Sequence, residues 1–275
     1  MKTDLKNKVV VIAGGSGGIG SETAKMFRQN GAKVIIISRN PNKQNLNKKM
    51  QDDNIFYLAY DLQKAESWQK VLKQILGKFK RIDILINCLG ILIPGSLEKL
   101  NQSAVLRMID TNIRSIIIST KKVLAIMSKQ ETGIIINIGS LGGIVPMPHE
   151  SVYCATKFAL RGFTLSLAEE LRGSNIDICL ISPGPVKTNL LDTEAKDDYS
   201  TITFINDPIE PKKVARVIVK ASLKPKREII LSGSMSFGSK LIGAFPGIFT
   251  LLFPIVNVLG SKKLMNYKKE YSIVS

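Results

Sequence analysis

The sequence predicts an α/β fold: a doubly wound, seven-stranded parallel sheet followed by a hydrophobic helical extension at the C-terminus. Three observations point there. Short β-branched runs alternate with amphipathic segments up to Leu231, the pattern of a parallel sheet covered by helices on both faces. A glycine-rich stretch from Gly14 to Gly20 lies between the first such run and the first helix. Beyond Ser232 the alternation stops, and residues 241–260 form 20 positions without a charged side chain. The chain therefore divides into one domain, residues 1–231, and an extension, residues 232–275.

The elements follow in order. Residues 8–13 are an apolar, β-branched first strand, and the segment after Gly20 reads as a helix. Residues 34–38 form the second strand, which ends at Arg39 and a polar loop, Asn40-Pro41-Asn42-Lys43. A third strand over 55–60 ends at Asp61 and Leu62, and an amphipathic helix covers 65–79. The fourth strand, 82–86, runs into Asn87-Cys88-Leu89-Gly90, and a helix over 105–127 contains Asn112. Strand five, 134–138, precedes Ser140, and a long helix carries Tyr153 and Lys157 to about residue 172. Strand six, 176–181, is followed by Pro183-Gly184-Pro185-Val186-Lys187-Thr188. Residues 190–207 have little apolar periodicity and read as a mobile lid. A helix over 211–223, with proline at its first position, leads to the seventh strand, 228–231.

Two constellations carry chemistry. Strand, glycine loop and helix N-terminus make a phosphate cradle, because glycines admit the ligand to the backbone and the helix end offers free N–H groups. The residue after the second strand of such a unit reads the adenosine ribose. An acid there bonds the 2′-hydroxyl of NAD, whereas an arginine accepts the 2′-phosphate of NADP. Arg39 thus favours NADP(H), with NAD(H) the alternative. Tyr153 and Lys157 lie four residues apart on one helix face. An ammonium there stabilises the phenolate and lowers the tyrosine pKa towards working pH. Ser140 is placed to hold a substrate carbonyl. A tyrosine and a lysine at this spacing are also common on solvated helix faces, so the remaining motifs decide.

Composition narrows the field. The apolar fraction of 44% supports a packed core. Cys88, Cys154 and Cys179 show no metal-ligand spacing, so no metal is expected and reduced thiols are. No apolar leader precedes the first strand, which points to the cytoplasm. The net charge of +17 is concentrated late: residues 212–275 hold twelve Lys and Arg against two Asp and Glu, a net of +10. No zinc-finger spacing, stacking motif or recognition helix accompanies this charge, so nucleic acid is not an expected partner. A solvated basic face and an anionic membrane surface both remain. His149, the single histidine, lies in a loop and is not assigned to catalysis.

With these residues in place the chain resembles the short-chain dehydrogenase/reductase family, from Lys8 to Leu231. The family's glycine motif corresponds to Ala13 through Gly20, with alanine in place of threonine. The resemblance implies a Rossmann-type fold and a cofactor held by Gly14, Ser16, Gly18, Ile19 and Gly20, by Arg39, and by Asp61 and Leu62. It adds Asn87 and Gly90, then Pro183, Gly184, Val186 and Thr188, and the catalytic Tyr153 and Lys157. Tyr153 is then the general acid in carbonyl reduction, Lys157 lowers its pKa and binds the nicotinamide ribose, Ser140 orients the substrate oxygen, and Asn112 holds a proton-relay water. Leu89 replaces the family's usual alanine.

The extension has three readings: a pair of short helices that cap the cleft and dip into a membrane surface, a transmembrane anchor, or an ordinary buried or dimer-forming tail. Pro246 and Pro254 argue against one unbroken helix. The composition is loosely similar to lipid-acting family members such as 3-ketodihydrosphingosine reductases. The sequence thus favours an NADP(H)-dependent reductase of a hydrophobic ketone or 3-oxo lipid, peripherally attached to membranes through its tail. The alternative is a non-catalytic cofactor-binding module that senses redox state or binds partners at a membrane. A homo-oligomer is left open.

Overall fold

The computed structural model describes residues 4–39, 54–232 and 236–273. Its strands are β1 (Val9–Ala13), β2 (Lys33–Ser38), β3 (Ile55–Ala59), β4 (Ile84–Asn87), β5 (Gly133–Ile138), β6 (Ile176–Pro183) and β7 (Glu228–Leu231). They form one sheet in the order β3-β2-β1-β4-β5-β6-β7, and every ladder is parallel. The doubly wound, seven-stranded sheet expected from the sequence is the fold observed.

The two-residue period of the strands explains why β1 has no polar side chain. Val10 and Ile12 pack on one face with Phe27 of α1 (Gly18–Gln29) and Val214 and Ile218 of α7 (Pro211–Leu223). Val9, Val11 and Ala13 pack on the other, with Trp68 and Ile75 of α2 (Ala65–Phe79) and Met127 of α4 (Ser115–Gln130). Both faces are covered, so each position must be apolar. The chain leaves β1 towards β2 on one side and reaches β4 on the other. The crevice at that reversal, beyond the carboxyl ends of the strands, is where such sheets bind ligands.

Three departures from the sequence reading have physical reasons. α1 begins at Gly18, inside the glycine motif rather than after it, which puts its first free N–H groups at the crevice. The helix expected over 105–127 is α3 (Gln102–Ile109) joined to α4 by a π-helical turn, Asp110–Arg114, which contains Asn112. The extension is not a pair of short helices but one short helix, α8 (Ser236–Ala244), and one long one, α9 (Pro246–Tyr271). Pro246 separates them, as expected, whereas Pro254 lies within α9. Its missing N–H releases the carbonyl four residues back, that of Thr250, and both residues are exposed, so water can satisfy the freed group.

α9 has two different halves. Leu251, Ile255 and Val258 are 81%, 64% and 70% exposed, whereas Leu264 and Tyr267 are 2% and 7% exposed. The buried pair packs with Leu191 and Ala195 of the lid segment and with Phe204, which lies in the 3-10 turn Ile202–Ile205. Polar bonds fix the same contact. Thr201 Oγ1 donates to Asn257 Oδ1 at 2.6 Å, the Tyr267 hydroxyl to Asp192 at 2.9 Å, and Lys263 Nζ to the Ile205 carbonyl at 2.9 Å. The segment read as a lid is thus α6 (Asn189–Glu194) plus this turn, clamped under the C-terminal half of α9.

Candidate active site

The loops after β1, β4, β5 and β6 converge on a cavity of about 640 Å³. Ser16, Gly18 and Ile19 line it from the glycine loop, and Gly90 from the end of β4. Ser140, Tyr153 and Lys157 line it beyond β5. Pro183, Gly184, Val186 and Thr188 form the wall beyond β6. Its apolar outer wall includes Met147, Ile202 and, from α9, Phe249, Leu252 and Val256.

The glycine loop fits a dinucleotide. Gly14 has φ +82°, and a Cβ there would stand 2.6 Å from the Cys88 carbonyl oxygen. A Cβ on Gly20 would meet the Gly14 carbonyl oxygen at 2.6 Å. The turn therefore closes only around glycine, and its tightness brings the N-terminus of α1 to the cavity. No described group of three His, Cys, Asp or Glu could hold a metal ion.

Ser140 is positioned by the strand end. Its hydroxyl accepts from the Gly142 N–H at 3.0 Å and caps the 3-10 turn Leu141–Gly143. Tyr153 and Lys157 lie one turn apart on α5 (Ser151–Glu170). Lys157 Nζ donates to the Ile138 carbonyl at 3.1 Å and stands 5.7 Å from the centre of the Tyr153 ring. Burial lowers the Lys157 pKa to about 8, partly offset by the neighbouring Cys88. The Tyr153 pKa is raised by burial, and a hydrogen bond with Ser140 opposes the rise. The lowering of Tyr153 expected from Lys157 is not what the site shows: desolvation, with the charges of Glu194 and Glu150 adding to it, holds the phenol neutral.

Asn112 holds the site together. Its amide accepts from the Ile91 N–H at 2.8 Å and donates to the Ile91 carbonyl at 2.8 Å and Thr156 Oγ1 at 3.1 Å. Both of its N–H groups are committed, so its side chain has only acceptor capacity left for a water. Asn87 is fully buried and bonded to Asn137, Thr120 and Ser119. It ties β4 to β5 and α4 rather than lining the cavity. Leu62 is core, packed with the β1 and α2 side chains. Asp61 accepts from the Gln63 N–H, and Arg39 is exposed just beyond β2; neither lines the cavity wall. The loop 40–43 lies outside the described residues.

Sequence reasoning missed a pair of buried acids, Glu150 and Glu194, on the cavity wall beside Tyr153. From the extension, one of whose readings is a cap on the cleft, α9 also lines that wall. His149 Nδ1 is hydrogen-bonded to Asp197 at 3.0 Å, and the ring stacks on Tyr199. These contacts tie His149 to the lid segment.

Known proteins are similar to this chain in sequence and fold. The family described as short chain dehydrogenase matches residues 8–199. An uncharacterized oxidoreductase of Staphylococcus saprophyticus is 35% identical over 234 residues, spanning 82% of this chain and 94% of that protein. A 3-ketodihydrosphingosine reductase of Bacteroides thetaiotaomicron is 34% identical over 203 residues, 71% of this chain and 73% of that protein. Among solved structures, a short-chain dehydrogenase from Streptomyces avermitilis superposes with a TM-score of 0.75 at 22% identity, covering 91% of this chain and 97% of that one. Serine dehydrogenase from Escherichia coli gives 0.69 at 27% identity, covering 81% and 95%.

Proposed function

The chain belongs to the short-chain dehydrogenase family of oxidoreductases, and from that premise we propose that it reduces the carbonyl of a hydrophobic ketone or 3-oxo lipid with NADP(H). The single observation that carries this reading is the placement of Ser140, Tyr153 and Lys157 in one cavity whose outer wall is apolar. A bound nicotinamide dinucleotide supplies the hydride. Ser140 holds the carbonyl oxygen, and Tyr153, kept protonated by burial, donates its phenolic proton to that oxygen. Lys157 places a buried positive charge beside the same point.

Arg39 supports NADP(H) over NAD(H) by its position after β2. Arg39→Asp removes the partner of the 2′-phosphate and sets like charge against it, so NADPH binding should weaken at least about tenfold more than NADH binding. Fluorescence titration of both cofactors against both proteins checks this. An unchanged preference would assign the cofactor to NAD(H) or the phosphate to another residue.

The exposed apolar half of α9 and the basic C-terminal quarter support attachment to an anionic membrane surface. Spanning is disfavoured. α9 is long and apolar enough by length and composition, but from Asn257 onwards it is docked on the lid segment. The part before that contact, residues 246–256, extends only about 16 Å, roughly half a hydrocarbon core. Apolar insertion with lysine attraction then predicts that the full-length protein floats with anionic liposomes at low salt and is partly released at high salt. Protein that stays in the soluble fraction at low salt contradicts this attachment.

A further inference from the structure

Glu150 directly precedes α5, yet its side chain makes no capping bond to the helix. It instead faces Glu194, from α6, across the cavity wall that also contains Ser140 and Tyr153. The two side chains are 3% and 5% exposed, and the charge of Glu194 acts directly on Glu150. One oxygen of each, Oε2 of Glu150 and Oε1 of Glu194, has no hydrogen-bond partner. Burial and mutual repulsion hold the Glu150 carboxyl well above its ordinary range, and burial raises Glu194 to about 7. The neighbouring hydroxyls of Ser200 and Thr203 oppose the rise only in part.

Nothing else in the described protein neutralises this pair. Among the described residues, no lysine or arginine forms an ion pair with either acid. Of the cations on the cavity wall, Lys157 donates to the Ile138 carbonyl and Lys187 is paired with Glu210 at 2.8 Å. His149 is engaged by Asp197, whose own charge adds to the repulsion on Glu150. Two acids without a third ligand do not make a metal site. Buried carboxylates left without a counter-charge are costly, and a cation with matching donors offsets that cost when it arrives. An ammonium brings one positive charge and three N–H donors to the oxygens of the pair.

We propose that Glu150 and Glu194 form a subsite for the protonated amine of the substrate, so that the enzyme takes an amphiphilic amino ketone with its carbonyl at Tyr153. Amine binding stands on the acid pair alone, whereas its place in a substrate rests on the reductase reading. The subsite also accounts for one wall carrying paired acids while another, from Phe249, Leu252 and Val256, is apolar. The amine and the alkyl chain are held by different sides of one cavity.

The test separates the two readings. Binding of octylamine and of 1-octanol to the full-length protein is measured by calorimetry at about pH 7.5, for wild type, Glu194→Gln and Glu150→Gln. The amine should bind wild type on the order of ten- to hundredfold more tightly than the alcohol, the scale of hydrogen bonds to charged groups. That preference should collapse in both variants, each of which retains the shape of the side chain. Equal affinities for amine and alcohol in wild type, or a preference that survives both substitutions, overturns the subsite and leaves the acids as a latch between α5 and α6. A separate arm follows NADPH oxidation with 2-dodecanone, which has no amine. Failure there counts against the reductase reading alone.

Discussion

Tyr153→Phe should bind cofactor nearly as well as the wild type and lose about 10²–10⁴-fold in turnover, the usual contribution of a positioned acid. The ring packs with Leu92 and Met108, and phenylalanine keeps those contacts. What disappears is the hydroxyl beside Ser140, the proposed proton donor. Single-turnover NADPH oxidation with a long-chain ketone, run beside a cofactor titration, distinguishes lost chemistry from lost binding. Turnover within a few-fold of wild type would remove Tyr153 from the proton-transfer step.

Lys157→Met should be comparably damaging for a different reason. The side chain is buried at 3% exposure, and an electrostatic group of this kind in a desolvated site typically contributes about 10²–10³-fold. Its pKa of about 8 places its titration in an accessible range. Below that pH the side chain is charged and active, and above it the proton is lost and the field with it. For the free enzyme, kcat/KM for reduction should therefore be level below about pH 8 and decline above it. The declining limb should be missing from Lys157→Met, whose residual rate stays level through the same range. A limb that persists in the variant assigns that titration to another group.

How much of this was legible in the sequence depends on whether the signal is local. β1 announces itself because a strand buried on both faces must be apolar at every position, and Val9 to Ala13 are. The glycine loop, Ser140 and the Tyr153–Lys157 pair were readable because strand end, turn and helix face are set by neighbours within a few residues. The helix break at Pro246 was readable for the same reason. Pro254 misled, because its cost depends on whether the freed Thr250 carbonyl meets water, which no local pattern encodes. The state of Tyr153 misled too: spacing shows the ammonium, but the burial that holds the phenol neutral is a property of the assembled cleft. The acid pair was invisible, since Glu150 and Glu194 meet only once α6 folds across the mouth of the cavity. The docking of Leu264 and Tyr267 on the lid likewise follows from tertiary packing, and the uncharged run before them carried no sign of it.

The central claim is hydride delivery to a lipid-like carbonyl in this cavity. Its most direct measurement uses NADPH deuterated at both hydrogens of the reactive nicotinamide carbon, incubated with the full-length protein and a long-chain ketone, with the product read by mass spectrometry. The account predicts an alcohol carrying one deuterium on the carbinol carbon, formed by wild type and lost in Tyr153→Phe. Cofactor that binds while a panel of neutral and amine-bearing long-chain ketones yields no deuterated alcohol would contradict it, and would leave the chain as a cofactor-binding module without this chemistry.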